Sequence, residues 1–214
     1  MQPSMVLIGA TGAVGSSLLR QALEDEFYSE LVTLGRRPLE VTHRKLTHHT
    51  VDFEQIEAHR DLIQGRDLVC TLGTTHRKAG SKERFIAIDY GYPLRTARLA
   101  RDNGMERVIL VTSVAANPNA PLSNYLQTKG RLERDIEALG FRSFVILRPS
   151  LLLGGRAEAR LGEDLGKTFD RAFRWMIPPR YRGVHVDEVA ARILAVGREA
   201  PTGVTIVESE AIPL

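Results

Sequence analysis

Apolar residues come in short runs along this chain, separated by polar stretches with a helical rhythm. Met5-Val6-Leu7-Ile8 is the first run, the right length for a buried strand. Leu31-Val32-Thr33-Leu34 predicts a second strand, residues 46–51 a weaker third, and 67–72 a fourth. Residues 108–111, 144–147 and 204–207 supply a fifth, sixth and seventh. Val14, Leu18, Leu19, Ala22 and Leu23 fall on one helix face, and helical patterns cover 82–101, 122–139 and 185–198. Pro93 should kink or break the first of these three. Such alternation predicts one α/β domain over residues 1–214, a mostly parallel sheet with helices on both faces. It lapses over residues 150–182, where Leu161, Leu165, Phe169, Phe173 and Trp175 stand near helical spacing. That stretch reads either as a packed helix or as a substrate flap over the carboxyl ends of the strands, where ligands bind in such sheets.

Composition narrows the class only a little. With 214 residues, 43% hydrophobic and 26% charged, the chain fits a globular domain of ordinary make-up. No apolar run approaches the roughly 20 residues that cross a bilayer, and no basic-then-apolar leader precedes the first strand. The expectation is a cytoplasmic protein with no membrane partner. A net charge of +3, with basic residues spread along the chain, argues against a nucleic-acid partner. The lone cysteine, Cys70, lies in an apolar run and reads as a buried strand residue rather than a nucleophile. His43, His48 and His49 lack cysteine or carboxylate partners at ligand spacing, so no metal is expected.

Between the first strand and the first helix stands Gly9-Ala10-Thr11-Gly12-Ala13-Val14-Gly15. A glycine triplet by itself fits any glycine-rich turn. Set between a strand and a helix, it builds a dinucleotide pyrophosphate site. Gly9 permits the tight turn, Gly12 admits the phosphates to backbone N–H groups, and Gly15 lets the helix pack on the strand. The anion then meets unpaired N–H groups at the positive helix end. The second strand ends in Arg36-Arg37 where an NAD-binding fold carries a carboxylate for the ribose. Arginine suits a 2′-phosphate, so NADP(H) is favoured over NAD(H), although two solvated loop arginines would look the same. Asp52-Phe53 should meet the adenine, and Leu72-Gly73-Thr74-Thr75 should pass under the middle of the dinucleotide.

The chemistry resides in Tyr125-Leu126-Gln127-Thr128-Lys129. Tyr125, Lys129, Leu132 and Ile136 share one helix stripe, apart from the polar face of Arg131, Arg134 and Asp135. A lysine on an inner stripe needs a reason. Ser113, closing the fifth strand, supplies a third group, with Thr112 and Ser123 as stand-ins. Tyr125 would give its phenolic proton to a carbonyl receiving hydride, or remove it in reverse. Lys129 would favour the phenolate, and Ser113 would hold the substrate oxygen.

With these pieces in place, the chain resembles the atypical, extended-type short-chain dehydrogenases/reductases, above all the branch of the Tat-interacting protein. The resemblance also rests on Leu34-Gly35-Arg36-Arg37, Cys70 through Thr75, Ile88-Asp89-Tyr90, Leu147-Arg148-Pro149-Ser150 and His185-Val186-Asp187-Glu188-Val189-Ala190. It implies a Rossmann-type, doubly wound seven-stranded sheet of order 3-2-1-4-5-6-7 with a small C-terminal substrate-covering region. It also implies NADP(H), with Thr112 and Lys129 among the cofactor contacts and Arg148-Pro149 leading the backbone past the nicotinamide. A helix of the C-terminal region opens at 185–189. The large substrate domain of longer members is missing, which argues against a nucleotide-sugar substrate. The function expected is NADP-dependent oxidation or reduction of a small or medium alcohol or carbonyl. An NADPH-binding regulator and an isomerase or epimerase with tightly held cofactor are the alternatives. A homodimer is allowed by this reading.

Overall fold

A computed structural model describes residues 3–154 and 177–214. Its strands are β1 (Ser4–Ile8), β2 (Glu30–Gly35), β3 (Leu46–Thr50), β4 (Asp67–Cys70), β5 (Arg107–Val111), β6 (Ser143–Arg148), β7 (Leu152–Leu153), β8 (Val184–His185) and β9 (Gly203–Glu208). Seven of them form one parallel sheet in the order β3-β2-β1-β4-β5-β6-β9, and β7 pairs with β8 separately. This is the predicted strand order, with residues 204–207 inside β9 as the seventh strand. The anticipated flap over 150–182 lies for the most part outside the described residues.

Alternation along the strands divides the core. Met5 and Leu7 of β1 face α1 (Ala13–Glu24) and a C-terminal helix, while Val6 and Ile8 face the opposite layer. In chain order the further helices are α2 (His76–Ala79), α3 (Lys82–Ile86), α4 (Tyr92–Asp102), α5 (Asn124–Glu137) and α6 (Val186–Glu199). α1 and α6 cover one face, joined by Arg20 to Asp187 at 2.8 Å. α4, α5 and a 3-10 stretch from Phe53 to Leu62 cover the other. His185 caps α6 in a capping box with Glu188, at the boundary the resemblance implied.

The predicted helix over 82–101 is not uniform. α3 passes into a π turn, Ala87–Gly91, and α4 begins with Pro93 in its first turn. Proline lacks the N–H that would bond the carbonyl four residues back, and its ring crowds that carbonyl. The wider turn before it relieves the conflict and leaves Asp89 fully buried.

One packing contact positions the loop after β5. A Cβ at Gly130 of α5 would stand 2.3 Å from the Asn117 carbonyl carbon and the Pro118 nitrogen. Asn117 also donates its N–H to Leu126 O at 3.1 Å, so this loop lies directly on α5. Backbone cannot step aside as a flexible side chain can. Gly130→Ala is therefore expected to destabilise the fold by about 1–3 kcal/mol, the usual cost of overpacking. Urea titration monitored by circular dichroism checks this; an unchanged midpoint would contradict it.

Candidate cofactor and proton-transfer site

The carboxyl ends of β1, β2, β4 and β5 open on one edge of the sheet, where the candidate residues gather. Gly9 has φ +94°, and a Cβ there would stand 2.7 Å from Leu72 N and Thr71 Oγ1. Gly15 is tighter still, since a Cβ would meet Gly9 O at 2.1 Å. These two glycines let α1 press against the strand ends. Gly12 differs: it is exposed, and a Cβ there would stand 3.2 Å from Gly9 O, a tight contact but a less severe one than at Gly9 or Gly15. Gly12 caps α1 with no side-chain hydrogen bond, and no acidic residue stands in the first turn. The N–H groups that open α1 are thus left without a side-chain cap, the kind of helix end at which anions bind. Ala10 and Val14 are buried beneath it, with Thr11 and Ala13 exposed.

At the end of β2, Arg36 and Arg37 are exposed, and among the described residues neither side chain forms an ion pair. Their loop is braced by His48, which joins Thr33 Oγ1 through Nδ1 at 2.8 Å and Arg37 O through Nε2 at 3.0 Å. A carbonyl only accepts, so Nε2 donates to Arg37 O. Arg84 on α3, unremarkable in sequence, comes to the same corner. Burial and the Glu54 carboxylate push the Tyr92 phenol up, while Arg84 and Arg36 pull it back. Tyr92 donates to Glu54 Oε1 at 2.6 Å. Asp52 spends its side chain capping the following turn, and Phe53 is buried and stacked on Tyr92. Only the rim of that pair is open to a ligand.

Gly73 and Thr74 follow β4 across the centre of the crevice, and Leu72 packs partly into the core. Thr74 donates its N–H to Asp89 Oδ2 at 2.7 Å. On α5, Lys129 is 3% exposed and pairs with Asp89 Oδ1 at 2.7 Å. Its Nζ also lies 5.9 Å from the centroid of the half-buried Tyr125 ring. Burial opposes the Lys129 cation, but Asp89 and Tyr125 outweigh it, so the ammonium pKa sits above the ordinary lysine range. Tyr125 packs against Phe85, which is itself stacked on His76. The structure thus brings Tyr125 and Lys129 together and adds Asp89. Asp89 entered the sequence reading only within Ile88-Asp89-Tyr90, as part of the resemblance and without a role of its own; its place four residues after the apolar Phe85 is the local signal for an inward-facing acid.

Ser113 begins the loop that Gly130 receives and is partly exposed; its Oγ donates to Val114 O at 3.3 Å. The stand-ins are engaged elsewhere. Thr112 is buried and donates to Glu133 Oε1 at 2.5 Å, and Ser123 caps α5 by accepting from Leu126 N. The Arg148 side chain turns away from the crevice edge, bonding Glu133 at 2.6 Å and Glu208 at 3.1 Å. What this segment offers a ligand is backbone near Pro149, whose carbonyl accepts from Val114 N at 2.9 Å. Cys70 is buried in β4, and burial pushes its thiol up to about 11, which leaves it neutral and unreactive.

Comparison with known proteins agrees with this geometry. An NAD(P)H-binding family model matches residues 9–175. Protein HTATIP2 of Rattus norvegicus is 36% identical over 78% of this chain and 69% of its own. Protein FMP52, mitochondrial, of Candida albicans is 36% identical over 77% of this chain and 74% of its own. Among solved structures, a short chain dehydrogenase family protein from Francisella tularensis superposes with a TM-score of 0.72 at 10% identity, covering 99% of both chains. The cytoplasmic expectation is overturned: the Candida relative and two further FMP52 homologues at 38% and 37% identity are named mitochondrial. No described helix is long and apolar enough to cross a membrane. The chain belongs to the NAD(P)H-binding family whose model it matches, with HTATIP2 and FMP52 as relatives, and shares its fold with the short chain dehydrogenase family protein.

Proposed function

We propose that this protein is an NADP-dependent oxidoreductase acting on a small or medium carbonyl or alcohol. The observation that carries the reading is a buried, charged lysine beneath a half-buried tyrosine at the edge of the nucleotide crevice. A protein that only sensed a dinucleotide would need the glycine cradle and the arginines, and would have no use for that pair. The helix end suits a pyrophosphate, because Gly12 is exposed and carries no side chain and the first turn of α1 has no side-chain cap. NADP(H) bound there would supply or accept the hydride.

The chain's own residues handle the proton. Tyr125 donates its phenolic hydrogen to the oxygen of the carbonyl being reduced, and takes it back in oxidation. Lys129 favours the phenolate left behind, through a positive charge held in a site of low polarity. Ser113 donates a hydrogen bond to the same substrate oxygen and stabilises the charge that develops on it. Arg36 and Arg37, with Arg84 beside them, favour a 2′-phosphate over a bare ribose.

Cofactor choice is tested by changing Arg36 and Arg37 together to Ala. NADPH binding should weaken by about 1.5–3 kcal/mol, the worth of a charge-assisted hydrogen bond, and NADH binding should change little. Equal affinity of the unaltered protein for both cofactors in calorimetric titration would count against the NADP preference.

The cradle is tested by Gly12→Val. Position 12 has φ −77°, which valine tolerates, and the added Cβ would press on Gly9 O at 3.2 Å, so circular dichroism first checks that the variant folds. Its side chain would fill the pyrophosphate space, and the NADPH-dependent rise in Tm, which follows from ligand binding only the native state, should vanish. A normal thermal shift in the variant would mean that the cofactor binds elsewhere.

Tyr125→Phe keeps the ring and removes the acidic hydrogen. On any accepted carbonyl its rate should fall by about 10²–10⁴ with cofactor affinity unchanged, the usual contribution of a positioned acid. Undiminished reduction by this variant would refute the assigned chemistry. A broad carbonyl and quinone screen without turnover would favour the regulator instead.

A further inference from the structure

Asp89 has no role in the reaction as written, yet it is the most deeply placed charge near Tyr125. Its carboxyl group is fully buried in the π turn between α3 and α4. One oxygen stands 2.7 Å from Lys129 Nζ, and the other accepts the Thr74 N–H at 2.7 Å. The crevice loop crosses directly over the pair. A Cβ on Gly73 would lie 3.5 Å from both Asp89 Oδ1 and Lys129 Nζ.

A lysine as buried as Lys129 loses its proton readily unless an anion compensates for lost hydration. Among its other neighbours, Tyr125 on the same helix and Cys70 of β4 support the cation less than Asp89 does, and Phe85 of α3, packed on Tyr125, is apolar. His76 of α2 stacks on Phe85 and acts electrostatically on Asp89. Among the described residues Asp89 supplies the carboxylate paired with Lys129. Burial pushes the Asp89 carboxyl up, with Lys129, Thr74 N–H and His76 opposing, so each member of the pair depends on the other.

We infer that Asp89 is a positioning residue that keeps Lys129 charged beneath Tyr125 and ties that charge, through the Thr74 N–H, to the loop crossing the cofactor crevice. The charge-keeping is a property of this fold; its use in proton transfer rests on the oxidoreductase reading above.

The two parts can be tested separately. In protein carrying ¹³C-labelled lysine and aspartate, the Lys129 ε-carbon, assigned with Lys129→Met, reports protonation of its amine. The Asp89 carboxyl carbon reports its own state. In the unaltered protein Asp89 should be ionised at pH 7, and Lys129 should titrate above the range of an ordinary lysine. Asp89→Asn keeps an acceptor for Thr74 and removes the charge, so Lys129 should titrate lower by about one unit or more. Asp89→Glu should restore most of that loss. An Asp89 protonated at pH 7 in the unaltered protein overturns the inference even if Asp89→Asn fails to fold. So does a Lys129 that titrates identically in the folded variant.

With any alcohol the enzyme oxidises, Asp89→Asn should move the acidic limb of the pH–rate profile upward, as Lys129→Met does. The double variant should add less than about twofold to the rate loss of either, because both remove the same charge. Independent, multiplying losses would overturn the shared role. Absence of turnover in the unaltered protein would sink the oxidoreductase reading while the carbon titrations still decide the role of Asp89.

Discussion

The distance between the first helix and the first strand sets the terms for everything at the carboxyl edge of the sheet. A Cβ at Gly15 would stand 2.1 Å from Gly9 O, and one at Gly9 would stand 2.7 Å from the backbone of Thr71 and Leu72. Three chain segments therefore meet where no side chain fits. Because they meet, the uncapped N–H groups of α1 lie at the mouth of the crevice, and the loop after β4 passes across its centre. A helix end left without a capping side chain is costly in isolation; here the exposed donors are what a pyrophosphate would satisfy.

A second constraint is electrostatic. Parallel strands are buried on both faces, so a charge beneath the crevice must come from a helix and must be compensated. The fold places two such compensated groups near the site. Lys129 is paired with Asp89 beneath Tyr125, and Glu133, one turn further along α5, takes Arg148 and the Thr112 hydroxyl. The first pair presents charge to the site. The second locks β5, β6 and α5 together and takes the Arg148 side chain out of reach of a ligand, leaving the backbone around Pro149 to shape the crevice.

The cationic corner follows different rules. Arg36, Arg37 and Arg84 are exposed, so water screens them and none contributes much to stability. Their placement depends on small buried or half-buried groups behind them: His48 pins the Arg37 carbonyl to β3, and Tyr92 and Glu54 anchor the far wall. Charge at such a rim acts on ligands more than on folding.

Much of this could be read along the chain. The inner strands were legible as short apolar runs, because a parallel strand covered on both faces needs apolar residues throughout, while the edge strands β3 and β9, partly exposed, carry polar residues and read more weakly. The glycine triplet between a strand and a helix marked the cradle, and the stripe of Tyr125, Lys129, Leu132 and Ile136 marked a lysine turned inward. These are local signals, set by residues a few positions apart. Other features depend on partners distant in sequence. The π turn before Pro93 buries Asp89 against a lysine 40 positions later, Arg84 reaches the corner of Arg36, and Arg148 is taken by Glu133 and Glu208. Periodicity says which face of a helix is buried. It does not say what that face meets, because the meeting depends on how helices sit against the sheet. Sequence alone therefore determined the strands, the cradle and the inward lysine, and tertiary packing decided which charges are neutralised and which still face a ligand.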